Sequence, residues 1–161
     1  MKLFIASDLH GSAKFCRMML EAFERERADK IALLGDILYH GPRNPLPDGY
    51  APQEAAALLN NYRQKIVCVR GNCDSEVDQM VLDFPILSDY ALICIDGINM
   101  YLSHGHRDIP PMTDSDVYLT GHTHVPLIEK SGWLHLNPGS LSLPKEGRTR
   151  LYYVRNPHVY L

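Results

Sequence analysis

The feature that most constrains the fold is an alternation of short apolar runs with helical patterns in the first half of the chain. The apolar runs have strand length and lie at Lys2–Ser7, Lys30–Leu34 and Ile66–Val69. Between them, Ser12 is a plausible N-cap for Ala13–Arg27, which carries apolar residues at helical spacing. Pro52 is well placed as a first helical residue before Gln53–Tyr62. This β-α-β-α-β order predicts a parallel sheet with right-handed crossovers.

The second half of the chain has a different pattern. Asp96-Gly97 separates the apolar runs Ala91–Ile95 and Ile98–Ser103, which predicts a β-hairpin. Further short strands are predicted at Val117–Thr120, Val125–Lys130, Trp133–Leu136, Leu151–Val154 and His158–Leu161. The Pro- and Gly-rich segment Ile37–Tyr50 is predicted to be a loop. We therefore expect one domain over residues 1–161, in which α/β units precede a mainly antiparallel half.

Composition excludes several classes of protein. The formal net charge is −3 and no block of Lys and Arg occurs, so there is no strong sign of nucleic-acid binding. The four cysteines form no CxxC pair, which favours a reducing compartment. The apolar start Met1–Ser7 is too short for a signal peptide, and no run approaches the roughly 20 apolar residues of a membrane span. We expect a cytoplasmic protein without a membrane partner.

Residues that can bind metal ions follow the predicted strands at the point where each strand ends. They are Asp8, His10, Asp36, Asn72, His104, His122 and His124. Ligands of open α/β sheets bind beyond the carboxyl ends of the strands, so these side chains can converge. Mixed imidazole and carboxylate donors without a thiolate suit Mn, Fe, Zn or Co. Seven donors exceed the need of one catalytic ion and suit two ions that share a carboxylate.

The motifs that contain these residues, DLH, GD, GNCD, HGH and GHTH in that order, resemble the calcineurin-like metallophosphoesterase family. The segments His40–Pro52, Val69–Met80 and Asn137–Lys145 are similar to those of its bacterial YfcE-type phosphodiesterases. The resemblance implies an α/β fold, namely a four-layer αββα sandwich of two packed mixed β-sheets flanked by helices. It also implies two divalent ions, with Mn²⁺ first and Zn²⁺, Fe²⁺, Ni²⁺ or Co²⁺ as alternatives.

The resemblance further implies a role for each donor. One ion would be bound by Asp8, His10 and His124, the other by Asn72, His104 and His122, and Asp36 would bridge them. Asp36, Asn72 and His104 are the implied catalytic residues, and a hydroxide between the ions would attack phosphorus. Substrate contacts are expected from Asn72, Arg43 and His106.

One position departs from the family pattern. Cys73 stands where the wider family has a histidine that protonates the leaving group, and a thiol is a weak substitute. Good leaving groups should then be favoured, unless His40 or His106 donates the proton. Asp74 is expected either to orient a ligand histidine or to be the N-cap of a helix at Ser75–Met80.

Three functions compete. A phosphodiesterase acting on a small phosphate ester fits the full donor set, and a phosphomonoesterase would use the same metal core. A non-catalytic protein-binding scaffold on the same fold ranks below because all seven donor positions are kept. A two-metal hydrolase of amides or lactones is weaker, since its HxHxDH run does not occur. A homo-oligomer is a further alternative, because apolar residues at Phe84–Leu87 are expected to be exposed and could form a contact between copies.

Overall fold

Two five-stranded sheets make up the protein. The computed structural model describes residues 1–145, 152–155 and 158–160. The strands are β1 Lys2–Ala6, β2 Lys30–Leu33, β3 Ile66–Cys68, β4 Tyr90–Ile95, β5 Ile98–Ser103, β6 Val117–Leu119, β7 Leu127–Ser131, β8 Trp133–Asn137, β9 Tyr152–Arg155 and β10 His158–Tyr160. The helices are α1 Ala13–Arg25, α2 Pro52–Asn60 and α3 Glu76–Gln79. Leu151 and Leu161, at the ends of two predicted strands, lie outside the described residues.

The first sheet has the order β10-β9-β1-β2-β3. Strands β1, β2 and β3 are parallel and are joined by α1 and α2, as the alternating pattern predicted. Strand β9 pairs antiparallel with the other side of β1, with Lys2 opposite Arg155. The carboxyl ends of β1, β2 and β3 therefore lie along one edge of this sheet.

Helices α1 and α2 begin where the sequence predicted. The Ser12 side chain accepts a hydrogen bond from the Phe15 amide at the start of α1, and Pro52 is the first residue of α2. Helix α1 ends at Arg25, two residues before the predicted end, and Arg27 is in the left-handed region at φ 51°. The predicted loop at residues 37–50 contains no helix or strand.

The second sheet has the order β4-β5-β6-β8-β7 and is mixed. Strands β4 and β5 form the predicted hairpin, in which Asp96 and Gly97 have φ values of 52° and 83° as a two-residue turn of this kind requires. The second half is mainly antiparallel, as expected, through the pairs β4–β5, β7–β8 and β9–β10, but β6 is parallel to both β5 and β8. A long segment joins β5 to β6, and such a crossover allows parallel pairing where a tight hairpin would not.

Two cores hold the layers together. Apolar residues of both sheets, among them Leu3, Leu102 and Leu136, pack in the space between the sheets. The outer face of the first sheet packs against α1 and α2 through residues such as Phe4, Met19 and Phe23. The predicted sandwich of two packed mixed sheets with helices is confirmed, and in the described residues α1 and α2 lie on the first-sheet side.

The segment of residues 104–116, which joins β5 to β6, contacts the outer face of the second sheet. The Tyr90 hydroxyl of β4 donates a hydrogen bond to the Asp108 carbonyl in this segment.

Among the described residues, no helix is long and apolar enough to cross a lipid bilayer.

The apolar residues at Phe84–Leu87 are not an exposed contact surface. Phe84 and Ile86 are 3% and 0% exposed and belong to the core beneath the helices. The expected exposure of this segment is wrong, because the chain turns inward here to cover the edge of that core.

Candidate metal centre

The carboxyl ends of five strands converge at one place between the two sheets. Asp8 and His10 follow β1, Asp36 follows β2, and Asn72 follows β3 in the first sheet. His104 follows β5, and His122 and His124 follow β6 in the second. Both sheets therefore contribute donors.

One cluster of donor atoms surrounds a single carboxylate oxygen of Asp8. The Oδ1 atom of Asp8 lies 3.2 Å from Nε2 of His124 and 3.7 Å from Nε2 of His10. The two imidazole Nε2 atoms are 3.2 Å apart. These three buried residues form a group whose ligand atoms lie close enough together to bind one metal ion.

A second cluster surrounds Asp36. Its Oδ2 atom lies 3.4 Å from Nε2 of His104 and 3.7 Å from Nε2 of His10. Nε2 of His104 is in turn 3.1 Å from Oδ1 of Asn72. Asp36 is therefore close to His10 of the first cluster as well as to His104 of the second, which is the position that a bridging carboxylate would need.

His122 and Cys73 occupy different places from the other candidates. The ring of His122 lies 5.1 Å from that of His104 between centroids, and it is not in the compact donor groups found among the described residues. Its backbone amide donates to Oδ2 of Asp8. The Cys73 sulfur, in contrast, lies within 4.8 Å of the donor atoms of His10 and Asp36.

Three of the histidines are fixed in the orientation that metal binding needs. The Nδ1 atoms of His10, His104 and His124 lie 2.9, 2.6 and 2.8 Å from the backbone carbonyl oxygens of Tyr39, Leu34 and Leu143. A carbonyl only accepts, so each Nδ1 carries the proton. When such a ring is neutral, as metal binding requires, its lone pair is on Nε2, the atom that faces the centre. Metal-binding histidines usually have such a partner on the other nitrogen.

Asp8 supplies the clearest test of whether a cation fits. Its Oδ2 atom accepts hydrogen bonds from the Ser7 hydroxyl and the His122 amide. Among the described residues, its buried Oδ1 atom has no hydrogen-bond partner. A buried carboxylate oxygen without a partner costs free energy, and a bound cation would remove that cost. The donor set therefore fits a divalent ion.

The charges of the centre point to the same conclusion. Burial opposes ionisation of Asp8 and Asp36, but the neighbouring histidines outweigh burial and lower both pKa values. Burial would lower the pKa of His104, but its hydrogen bond to Asp36 and the nearby carboxylates raise that pKa to about 9. These ionised carboxylates attract positive charge, and a divalent cation would compete with protons for the imidazoles.

Most of the donors have unusual backbone conformations. Asp8, His10, Asp36, His122 and His124 all have φ between 47° and 68°, in the left-handed region that side chains other than glycine rarely adopt. Such strain is often found at functional sites, where surrounding contacts hold it.

Two glycines allow the donor loops to approach each other. A Cβ atom at Gly71 would lie 2.1 Å from Oδ1 of Asp36, and one at Gly121 would lie 1.9 Å from the Ser7 hydroxyl. Any larger residue would displace the turn that carries a donor.

Asp74 has a role that the sequence did not reveal. Its carboxylate accepts hydrogen bonds from the backbone amides of Asp36, Ile37 and Gly71, at 2.7–2.8 Å. It thereby ties the turn after β2 to the turn after β3. Both expected roles are wrong, since the partners of the Asp74 carboxylate within the described residues are backbone amides rather than a ligand histidine, and Ser75 is the N-cap of α3.

Asn137, Ser140 and Ser142 were also missed as supports of the centre. The Asn137 side chain donates to the Gly121 carbonyl, and the hydroxyls of Ser140 and Ser142 donate to the Asp8 carbonyl. The signal was present in the segment Asn137–Lys145, which resembles the family without containing a donor.

A cleft of about 600 Å³ opens above the donors. Arg43 and Asn72, both expected to contact substrate, line it together with Cys73, His122 and His124. Lys145 also lines the cleft, and the sequence had not singled it out.

Neither His106, the third expected substrate contact, nor His40 is among the residues that line the cleft. The ring of His106 packs against His104 and His122 instead, at 5.3 and 6.0 Å between centroids. In the part of the chain that the structure describes, the buried Nδ1 atoms of His106 and His40 have no hydrogen-bond partner.

Comparisons with known proteins agree with this geometry. Residues 1–156 match the calcineurin-like phosphoesterase superfamily domain. Phosphodiesterase YfcE of Escherichia coli strain K12 is 46% identical over 157 residues, which cover 94% of this chain and 85% of that protein. The solved structure of the E. coli phosphoesterase YfcE superposes with a TM-score of 0.93 at 43% identity, over 97% of this chain and 89% of that one.

A more distant structure shares the fold. Vps29 of Entamoeba histolytica, solved in complex with Zn²⁺, superposes with a TM-score of 0.61 at 20% identity, over 99% of this chain and 89% of that one. The family match spans nearly the whole chain, and the two E. coli comparisons agree with it. The chain belongs to the calcineurin-like phosphoesterase superfamily.

Proposed function

We propose that the protein is a metal-dependent phosphodiesterase that hydrolyses small phosphate diesters at the centre between its two sheets. The observation that carries the proposal is the pair of donor clusters around Asp8 and Asp36, with the Oδ1 atom of Asp8 buried and unpartnered. The 46% identical relative is named a phosphodiesterase, which supports the diester as substrate class.

Two divalent cations fit the donor set, and Mn²⁺ is the first candidate. Asp8, His10 and His124 would hold one, Asn72, His104 and His122 the other, and Asp36 would contact both. Bound there, the cations would supply Lewis acidity toward a phosphoryl oxygen and lower the pKa of water. Zn²⁺, Fe²⁺, Ni²⁺ and Co²⁺ are alternatives, because the donors alone do not select among these ions.

The residues of the chain orient the reaction. Backbone carbonyls on the Nδ1 atoms hold three imidazoles so that their Nε2 atoms face the centre. Asn72 is exposed in the cleft, where its amide can donate to a phosphate oxygen. Arg43 lines the same cleft, and its planar guanidinium can bind phosphate through two hydrogen bonds.

Cys73 sets a limit on the leaving group. Burial and the neighbouring Asp36 carboxylate raise the pKa of the Cys73 thiol to about 12. A thiol with so high a pKa gives up its proton poorly in the transition state. We therefore expect diesters of acidic alcohols, such as nitrophenols, to be hydrolysed faster than diesters of alkyl alcohols.

The proposal is tested by removing metal with a chelator, restoring Mn²⁺, and comparing an aryl phosphodiester with its monoester. Diester turnover that depends on Mn²⁺ and exceeds monoester turnover supports the proposal. A preference for the monoester would make the protein a phosphomonoesterase. Absence of turnover with every divalent ion would contradict the proposal and favour the scaffold function.

Substitution identifies the groups responsible. Asp36→Ala and His124→Ala should each reduce Mn²⁺-dependent kcat by at least about 100-fold, because each removes a donor from the centre. His135→Ala is the matched control, since His135 contacts Thr120 and Tyr118 rather than the donors. Near-normal turnover of Asp36→Ala or His124→Ala would refute the assignment of the centre.

A further inference from the structure

A second hollow, here called the side hollow, adjoins the metal cleft. It encloses about 650 Å³ and shares Pro42, Arg43, Asn72 and Cys73 with the cleft. Its own far wall is formed in part by Tyr39 and Val77. Asn72 lines both spaces, and its Oδ1 atom lies 3.1 Å from the Nε2 atom of His104. The cleft and the side hollow are therefore adjacent beside the donors.

The far wall offers apolar surface. Tyr39 is 41% exposed and Val77 is 70% exposed, although both are residues that folding usually buries in part. Exposed apolar surface beside a polar reaction centre is typical of ligand sites, where a few polar groups orient the ligand and apolar groups provide contact area.

The acidic side chains around the side hollow are already engaged within the protein. Asp74 accepts three backbone hydrogen bonds, as described above. Asp78 accepts from the Ser75 amide and hydroxyl in the capping box of α3. These carboxylates are therefore not directed at a ligand, and the apolar wall dominates the contact surface.

Arg43 differs from these carboxylates. In the part of the chain that the structure describes, its guanidinium forms no ion pair or hydrogen bond, and it borders both spaces. A guanidinium binds phosphate oxygens and also stacks on aromatic rings. Its place at the junction suits a ligand that has phosphate in the cleft and a flat ring in the side hollow.

We propose that the side hollow is a specificity subsite that binds one ester arm of the substrate, and that this arm is a planar aromatic group. The inference rests on the proposed function and adds a substrate class, aryl or heteroaryl phosphodiesters. A methyl arm would leave Tyr39 and Val77 in water, whereas a ring would cover them. Continuity with the metal cleft favours the substrate over a second protein copy as the occupant.

Direct binding of two simple phosphonates tests the subsite. Calorimetry in Mn²⁺ compares phenylphosphonate with methylphosphonate, which share the charged group and differ in the arm. The wild type should bind the phenyl compound about tenfold more tightly, as expected when on the order of 60 Å² of apolar surface leaves water. Val77→Trp places a bulky side chain against the far wall of the side hollow and should bring this ratio close to one, while Val77→Ser should reduce it about threefold.

Met80→Ser is the matched control, because Met80 is 83% exposed just after α3 and does not line the side hollow. It should leave the ratio unchanged. Equal affinities in the wild type, or a ratio that neither Val77 variant alters, overturns the inference even if diester turnover is normal. A Val77 variant that instead changes the mass in sedimentation equilibrium overturns it too, in favour of contact between copies. Absence of turnover with intact phosphonate discrimination contradicts the proposed function alone.

Discussion

At the scale of single residues, the centre depends on side chains that do not themselves bind metal. The donors were predictable because each follows a strand, and strand ends of one sheet share an edge. Asp74 was not predictable, because its partners at residues 36 and 37 are distant in sequence. Its position next to Ser75 made it look like a helix cap, a local role that Ser75 performs instead.

Replacing Asp74 should therefore damage both stability and the centre. Asp74→Ala leaves three backbone amides of the donor turns without their acceptor, which should lower the free energy of unfolding by roughly 3 kcal/mol. Urea denaturation measures this change, and Mn²⁺ titration measures the expected loss of affinity. Asp83→Ala, an exposed aspartate, is the control and should change neither. A variant of Asp74 with wild-type stability would show that water replaces the carboxylate.

At the scale of elements, local patterns predicted most of the pieces. The β4–β5 hairpin and the start of α1 follow from turn and capping chemistry within a few residues. The parallel pairing of β6 with β5 and β8 was missed, because no local signal states which strands become neighbours. The pairing matters for the centre, since it brings the ends of β5 and β6 to the same edge.

Two glycines in turns should respond differently to alanine. At Gly71 the new Cβ would meet Asp36, so Gly71→Ala should displace this donor and reduce kcat/KM on the order of 100-fold. Within the described residues, no atom lies within 4 Å of a Cβ built at Gly97. Its φ of 83° is unfavourable for alanine, so Gly97→Ala should cost about 1 kcal/mol of stability and leave activity intact. Kinetics and denaturation of both variants separate the two effects. Equal activities would contradict the proposed close approach of Gly71 to Asp36.

At the scale of the whole molecule, the centre lies across the boundary between two sheets. Four donors follow strands of the first sheet, namely Asp8, His10, Asp36 and Asn72. The other three follow strands of the second sheet, namely His104, His122 and His124. Apolar residues of both sheets pack in the space behind them. Bound cations would therefore link the two halves of the sandwich in addition to the apolar core.

This linkage predicts a metal-dependent melting temperature. Mn²⁺ at about 100 times its dissociation constant should stabilise the protein by roughly 2.7 kcal/mol and raise Tm by roughly 5–10 °C over the chelated protein. Scanning calorimetry measures Tm in both conditions. Asp36→Ala, which lacks the carboxylate between the clusters, should show little of this rise. An equal rise in the variant would mean that Mn²⁺ binds elsewhere.

The order of the donors along the chain also governs when the protein can acquire metal during its synthesis. A nascent chain that has emerged only through β3 contains three of the donors, Asp8, His10 and Asp36, and lacks Asn72 and all donors of the second sheet. Strand β1 itself pairs on one side with β9, which is synthesised after every donor. A polypeptide that ends before His124 therefore lacks the complete set of donors, so metal uptake at the proposed centre would follow the synthesis of β6 and His124.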